Sequence, residues 1–116
     1  LRILFDKNVP VGVRAFLHGH GVRTFLDTGW DPRLENGELL EAAQESGFDV
    51  MVTADQNIKY QQNLKGRRLS LVVLGSNIWP IVREHRAAIL AKVEAATPGS
   101  YEFIEMPLPS RRRYAP

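Results

Sequence analysis

A three-layer α/β domain, with helices on both sides of a mainly parallel sheet of four to five strands, is predicted by three features of the sequence. Short apolar strands alternate with helical segments along the chain, which is the pattern of strands joined by crossover helices. Two of the strands, "DVMVT" and "LSLVVL", are apolar almost without interruption, as strands buried on both faces of a parallel sheet are. And 116 residues with 44% hydrophobic and 24% charged side chains are enough for one core of ordinary composition.

The elements follow in order. "RILF" is a first strand. In "VPVGVRAFLHGHG", Pro10 sits near a first helical turn and Gly19 or Gly21 at the helix end. "VRTFL", β-branched and aromatic, reads as a second strand, and "DTGWDPRLENG" as a loop. Asn36 is placed to cap a helix in which Leu39, Leu40, Ala42 and Ala43 recur at helical spacing, Glu41 and Glu45 face outward, and Gly47 closes the run. After the third strand, "NIKYQQNLKGRR" is too polar for a core helix and predicts a short helix or turn ending at Gly66. "LSLVVL" is the fourth strand. Pro80 opens the longest helix, "PIVREHRAAILAKVEAA", whose apolar stripe includes Ile81, Val82, His85, Ala88, Ile89 and Val93. "YEFIEM" is a fifth strand, so residues 1–106 form the domain and 107–116 a basic, flexible tail.

Bulk properties exclude more than they identify. No apolar run approaches the roughly 20 residues of a membrane span, and the first residues already read as a strand, not a signal peptide. The absence of cysteine removes disulfides and thiolate metal sites and fits a cytoplasmic protein. Net charge is +2, but without Arg111, Arg112 and Arg113 twelve cations would face thirteen anions, leaving −1. A nucleic-acid partner is allowed by local basic clusters and not demanded by the total charge.

The residues with chemical potential sit at strand ends. Asp6 follows "ILF" and Asp55 follows "MVTA", so a parallel sheet delivers both carboxylates to one edge, where ligands gather near a topological switch point. Carboxylates on neighbouring strands, about 4.8 Å apart, repel unless protonated or bridged by a cation such as Mg²⁺ or Mn²⁺. The plainer alternative is that each accepts backbone N–H bonds from the turn behind it. Glu38 suits the positive end of a helix whatever its function, and becomes a third oxygen ligand if that end points to the same edge. Asn8, Asn36 and Asn57 offer neutral oxygens or amide donors, though asparagine is common at caps and turns. Lys59 and Tyr60 to Asn63 follow the Asp55 turn, within reach of a polar substrate or as a solvated face. His18 and His20 read as exposed residues at a helix end and His85 as a hydrogen-bonded core residue. A nucleophile triad and a phosphate-binding glycine loop are both unsupported. A phosphorylated strand-end aspartate of the response-receiver kind is disfavoured, because "LVVLGSN" puts serine and asparagine where that site needs lysine.

Taken together, "FDKNVP", "NGELLEAA" and "FDVMVTADQN", in this order, resemble the PIN-like fold, specifically the small stand-alone prokaryotic PIN-like proteins related to toxin ribonucleases. The resemblance runs through most of residues 2 to 75. It implies a metal-dependent endoribonuclease, the toxin of a toxin–antitoxin pair, using Mg²⁺ or Mn²⁺ to hydrolyse RNA phosphodiester bonds. Asp6 matches the family's first acidic position and Asp55 the acid of its threonine-x-Asp motif, with Glu38 in the helix-start motif; these three are the expected catalytic residues and metal ligands. Asn57 and Asn36 stand where the family has aspartates, and with Asn8 they are additional site candidates. Lys59, Arg67 and Arg68 are candidate phosphate contacts by sequence proximity. Expected partners are RNA, an antitoxin protein and a second copy in a homodimer. The alternative is a PIN-like module that holds RNA or a protein without cleaving it.

Overall fold

The computed structural model describes residues 1–57, 60 and 63–108, and over these the α/β prediction holds. Five strands form one sheet in the order β2-β1-β3-β4-β5, every neighbouring pair parallel. They are β1 (Arg2–Phe5), β2 (Gly21–Thr24), β3 (Val50–Thr53), β4 (Ser70–Leu74) and β5 (Tyr101–Ile104). The helices are α1 (Phe25–Thr28), α2 (Asn36–Glu45), α3 (Trp79–Glu84) and α4 (Arg86–Glu94), with a 3₁₀ helix at Val11–Phe16.

Strand alternation divides the core. Ile3, Phe5, Val50, Val52, Val72 and Leu74 face the 3₁₀ helix, α3 and α4, meeting Val13, Ile81, Val82 and Ile89. Leu4, Met51, Leu71 and Val73 face the other way, onto Phe25, Leu39, Leu40 and Ala43. β3 and β4 are buried on both faces, as their unbroken apolar sequence predicts.

The layers also fix the hand of the connections. From β2 to β3 and from β3 to β4 the chain steps one way across the sheet, packing α2 and then Tyr60 and Leu64 on one face. From β1 to β2 it steps back with the 3₁₀ helix on the other face, which is the same hand. The β4 to β5 connection steps forward again, yet packs α3 and α4 beside the 3₁₀ helix, so it has the opposite hand, which parallel units seldom adopt. Phe103 is left 43% exposed as a result, since it pairs with Val73 at a sheet edge whose facing helices lie elsewhere.

Several local expectations are corrected. The Pro10 segment closes i→i+3 bonds, Val13 N–H to Pro10 O and Leu17 N–H to Arg14 O, giving a 3₁₀ helix where valine and glycine disfavour an α-helix. The second strand stops at Thr24, because Thr24 and Asp27 form a reciprocal capping box that starts α1 at Phe25; Gly29, at φ 73°, ends it. Glu35, not Asn36, is the cap residue of α2, and Asn36 takes φ 53°, a left-handed conformation that asparagine tolerates. The long final helix is broken at His85, whose Nδ1 donates to the Ile81 carbonyl at 2.9 Å and so competes for a helical acceptor. Tyr60 and Leu64, from the segment judged too polar for the core, are each only 2% exposed. Among the described residues no helix is long and apolar enough to cross a membrane.

Candidate functional site

β1 lies between β2 and β3, so the connections leaving β1 and β3 diverge at their carboxyl ends and open a crevice there. Asp6 and Asp55 stand at that edge. Asp6 is 5% exposed, one of three buried polar residues together with Thr53 and Ser70 among the described residues. Its backbone N–H continues the ladder to Val52 O at 2.9 Å, which fixes the side chain against the end of β3.

Thr53 joins the two acids. Its hydroxyl donates to Asp6 Oδ2 at 2.8 Å, and its oxygen accepts the Asp55 N–H at 3.0 Å. Asp6 Oδ1 accepts the Lys7 N–H at 2.7 Å. Asn8 closes the frame from the other side, its Oδ1 accepting the Ala54 N–H at 2.9 Å. Asp55 is half-buried, and its Oδ1 accepts the Asn57 N–H at 3.0 Å, an Asx turn. The plain turn-stabilising role is therefore present at both acids. It does not use them up, because each carboxylate oxygen has about two acceptor sites.

The start of α2 is tied to the same edge. Asn57 Nδ2 donates to Asn36 Oδ1 at 3.3 Å, so the two amides standing at expected acid positions meet. Glu38 is exposed in the first turn of α2 and, with Glu35, Asn36 and Arg33, lines an adjoining hollow of about 410 Å³. Beneath them lies Tyr60. Its phenol pKa is raised, first by burial and then by the negative charges of Asp6, Asp55 and Glu35, while a bond to the Asn36 backbone works the other way.

On the opposite side of Asp6, a cleft of about 320 Å³ is lined by Asp6, Val9, Val11, Thr24 and Leu26. Lys7 and Phe25 line this cleft as well. The Lys7 ammonium lies 4.7 Å over the Phe25 ring and donates to the Pro32 carbonyl, latching the loop that leads into α2.

The sequence candidates are thus unequally gathered. Asp6, Asn8, Asp55, Asn57 and Asn36 share one connected frame, and Glu38 lies on its rim. Among the described residues no three Asp, Glu or His side chains are grouped as a metal cage. Arg67 is bound to backbone, its Nε donating to Asn63 O at 2.7 Å. Arg68 precedes β4 and lines a hollow with Gln44, Gly47 and Asp49 at the amino ends of β3 and β4, the far edge of the sheet. Lys59 and the arginines of the tail lie outside the described residues. Sequence reading underrated Thr53, whose hydroxyl is the hinge of the frame, and treated Tyr60 as a surface contact.

Whether a dication suits this donor set follows from its chemistry. Mg²⁺ keeps several waters and is commonly held by one or two carboxylates together with substrate phosphates. Two carboxylates, Asp6 and Asp55, flanked by neutral amide oxygens, fit an ion recruited with substrate and do not make a closed protein cage. Comparison of the chain with family models, with curated proteins and with solved structures returns no match.

Proposed function

We propose that the chain is a PIN-like, metal-dependent endoribonuclease, the toxin half of a toxin–antitoxin pair, hydrolysing RNA at the crevice between β1 and β3. The observation that carries this reading is the buried Asp6 carboxylate, bridged by Thr53 to the strand end that bears Asp55, at the switch point of an all-parallel sheet. A buried acid is costly to keep where a neutral side chain would serve packing equally well.

Mg²⁺ or Mn²⁺, when bound, would neutralise phosphate charge and lower the pKa of an attacking water. Asp6 and Asp55 would supply the anionic oxygens, with Glu38 and Glu35 adding negative charge at the rim. Thr53 holds Asp6 in one rotamer, and Asn8 locks the end of β1 to that of β3. Tyr60, kept protonated by burial and by the negative charges of Asp6, Asp55 and Glu35, lies close to the acids with its phenol oxygen bonded to the Asn36 backbone. Asn36 and Asn57 orient each other and cannot serve as bases.

That amide pair is also what favours a second reading, a PIN-like module that binds RNA or a protein without cutting it. Cleavage of a labelled RNA in Mn²⁺, in Mg²⁺ and in EDTA separates the two. The nuclease reading expects metal-dependent cleavage that Asp6→Asn abolishes. Cleavage absent in both metals would overturn it.

A further inference from the structure

One residue beyond the Asp6 cleft, the surface turns apolar and aromatic. Val11, which lines the cleft, is 73% exposed, Ile78 51% and Trp79 36%. The indole of Trp79 is held rigidly. It lies on Gly12, where a methyl group would overlap its six-membered ring, and stacks nearly parallel on Phe16, with centroids 5.6 Å apart and planes 9° from one another. Since Gly12 and Phe16 both belong to the 3₁₀ helix, the accessible part of the indole is the side turned away from that helix.

Two cations follow Trp79 in the helical stretch of α3 and α4. Arg83 is four residues beyond Trp79 on α3, hence on the same helical face, and Arg86 opens α4. Arg86 and His18 line, with Phe16 and Leu90, a hollow of about 240 Å³. Arg83 and Arg86 are exposed, and among the described residues the ion pairs engage other cations, Arg14, His20, Arg33 and Lys92. Glu84, between them in sequence, is the nearest counter-charge along the chain and is exposed as well.

We propose that Trp79, seated on Phe16, and the guanidiniums of Arg83 and Arg86 form a stacking platform for single-stranded RNA, leading the strand to the Asp6 cleft. This rests on the reading of the substrate as RNA and narrows it to unpaired RNA. Nucleobases stack on a fixed aromatic ring whatever their identity, while guanidiniums hold the phosphates between them. A duplex hides its base faces in its own stack and offers Trp79 none. The reversed hand of the β4 to β5 connection is what lays α3 against the 3₁₀ helix and builds the platform beside the site.

The test is fluorescence anisotropy of a short labelled oligoribonucleotide with the full chain in EDTA, so that binding is read apart from cleavage. Trp79→Leu, which keeps an apolar cover over Gly12 and Phe16, is expected to weaken binding about fivefold to 100-fold. Arg83→Gln with Arg86→Gln, changes at two exposed side chains, should weaken it and flatten its salt dependence. The same sequence as a duplex should bind more weakly than the single strand. Variants that bind as wild type does, or a duplex bound equally well, would overturn the proposal. So would sedimentation showing that the Trp79 surface joins two copies of the chain. Binding that depends on Trp79 without any cleavage in metal would leave the platform standing and fell the nuclease. Cleavage with binding indifferent to Trp79 would do the reverse.

Discussion

The Thr53 hydroxyl donates to Asp6 Oδ2 across 2.8 Å, while the Thr53 oxygen accepts the Asp55 N–H at 3.0 Å. One side chain, wholly buried, thereby sets both acids of the candidate site. Thr53→Val keeps the shape and removes the hydroxyl, leaving the Asp6 carboxylate and the Asp55 N–H each short of a partner. The expected cost is about 1–3 kcal/mol in urea unfolding, with Thr53→Ser recovering most of it. Equal stability of wild type and valine variant would show that the bridge has no energetic weight.

Asn57 stands where the resemblance expects an aspartate, and its N–H caps Asp55 while its amide meets Asn36. Asn57→Asp adds a carboxylate next to Asp55, so it should tighten Mn²⁺ binding by calorimetry and lower stability in EDTA through repulsion. If Mn²⁺ affinity is unchanged, position 57 does not face the ion.

Tyr60 has a phenol pKa raised by burial and by the acids above it. A raised folded-state pKa means that the native protein holds this proton more tightly than the unfolded chain does. Its contribution to stability is complete below the ordinary phenol pKa of about 10 and declines as pH rises beyond it. Spectrophotometric titration should show a tyrosine ionisation above the ordinary phenol range, and Tyr60→Phe should remove that late step. A titration without a late step, or one that Tyr60→Phe leaves in place, would contradict the placement.

In the core, Leu71→Ala opens a cavity among Leu4, Met51 and Leu39 and should cost about 2–5 kcal/mol. Leu26→Ala, at a residue 87% exposed, should stay within about 0.5 kcal/mol of wild type. Comparable losses at both positions in chemical denaturation would contradict the burial pattern.

What the sequence made legible was set by local chemistry. Unbroken apolar runs at β3 and β4 announced strands buried on both faces, and parallel strands obliged Asp6 and Asp55 to share an edge. Other features were decided by contacts distant in sequence. Tyr60 and Leu64 look polar in their context and become core because the face of β3 and β4 above them needs cover. Arg68 is near Asp55 in sequence, yet the chain crosses the whole sheet before β4, so the residue emerges at the opposite edge. The break at His85 depends on a side-chain bond to the Ile81 carbonyl that helical periodicity does not register. One local signal was present and overlooked: Thr24-x-x-Asp27 is a capping box, and it marks the end of β2.

The central claim is that Asp6 and Asp55 act as one metal-dependent site on RNA. Cleavage rates in Mn²⁺ of the wild type, Asp6→Asn, Asp55→Asn and the double variant test it most directly. Residues that act as a unit are strongly non-additive, so each single change should lower the rate about 100-fold or more and the double change little further. Single variants that cleave like wild type, or losses that multiply in the double variant, would contradict a shared site.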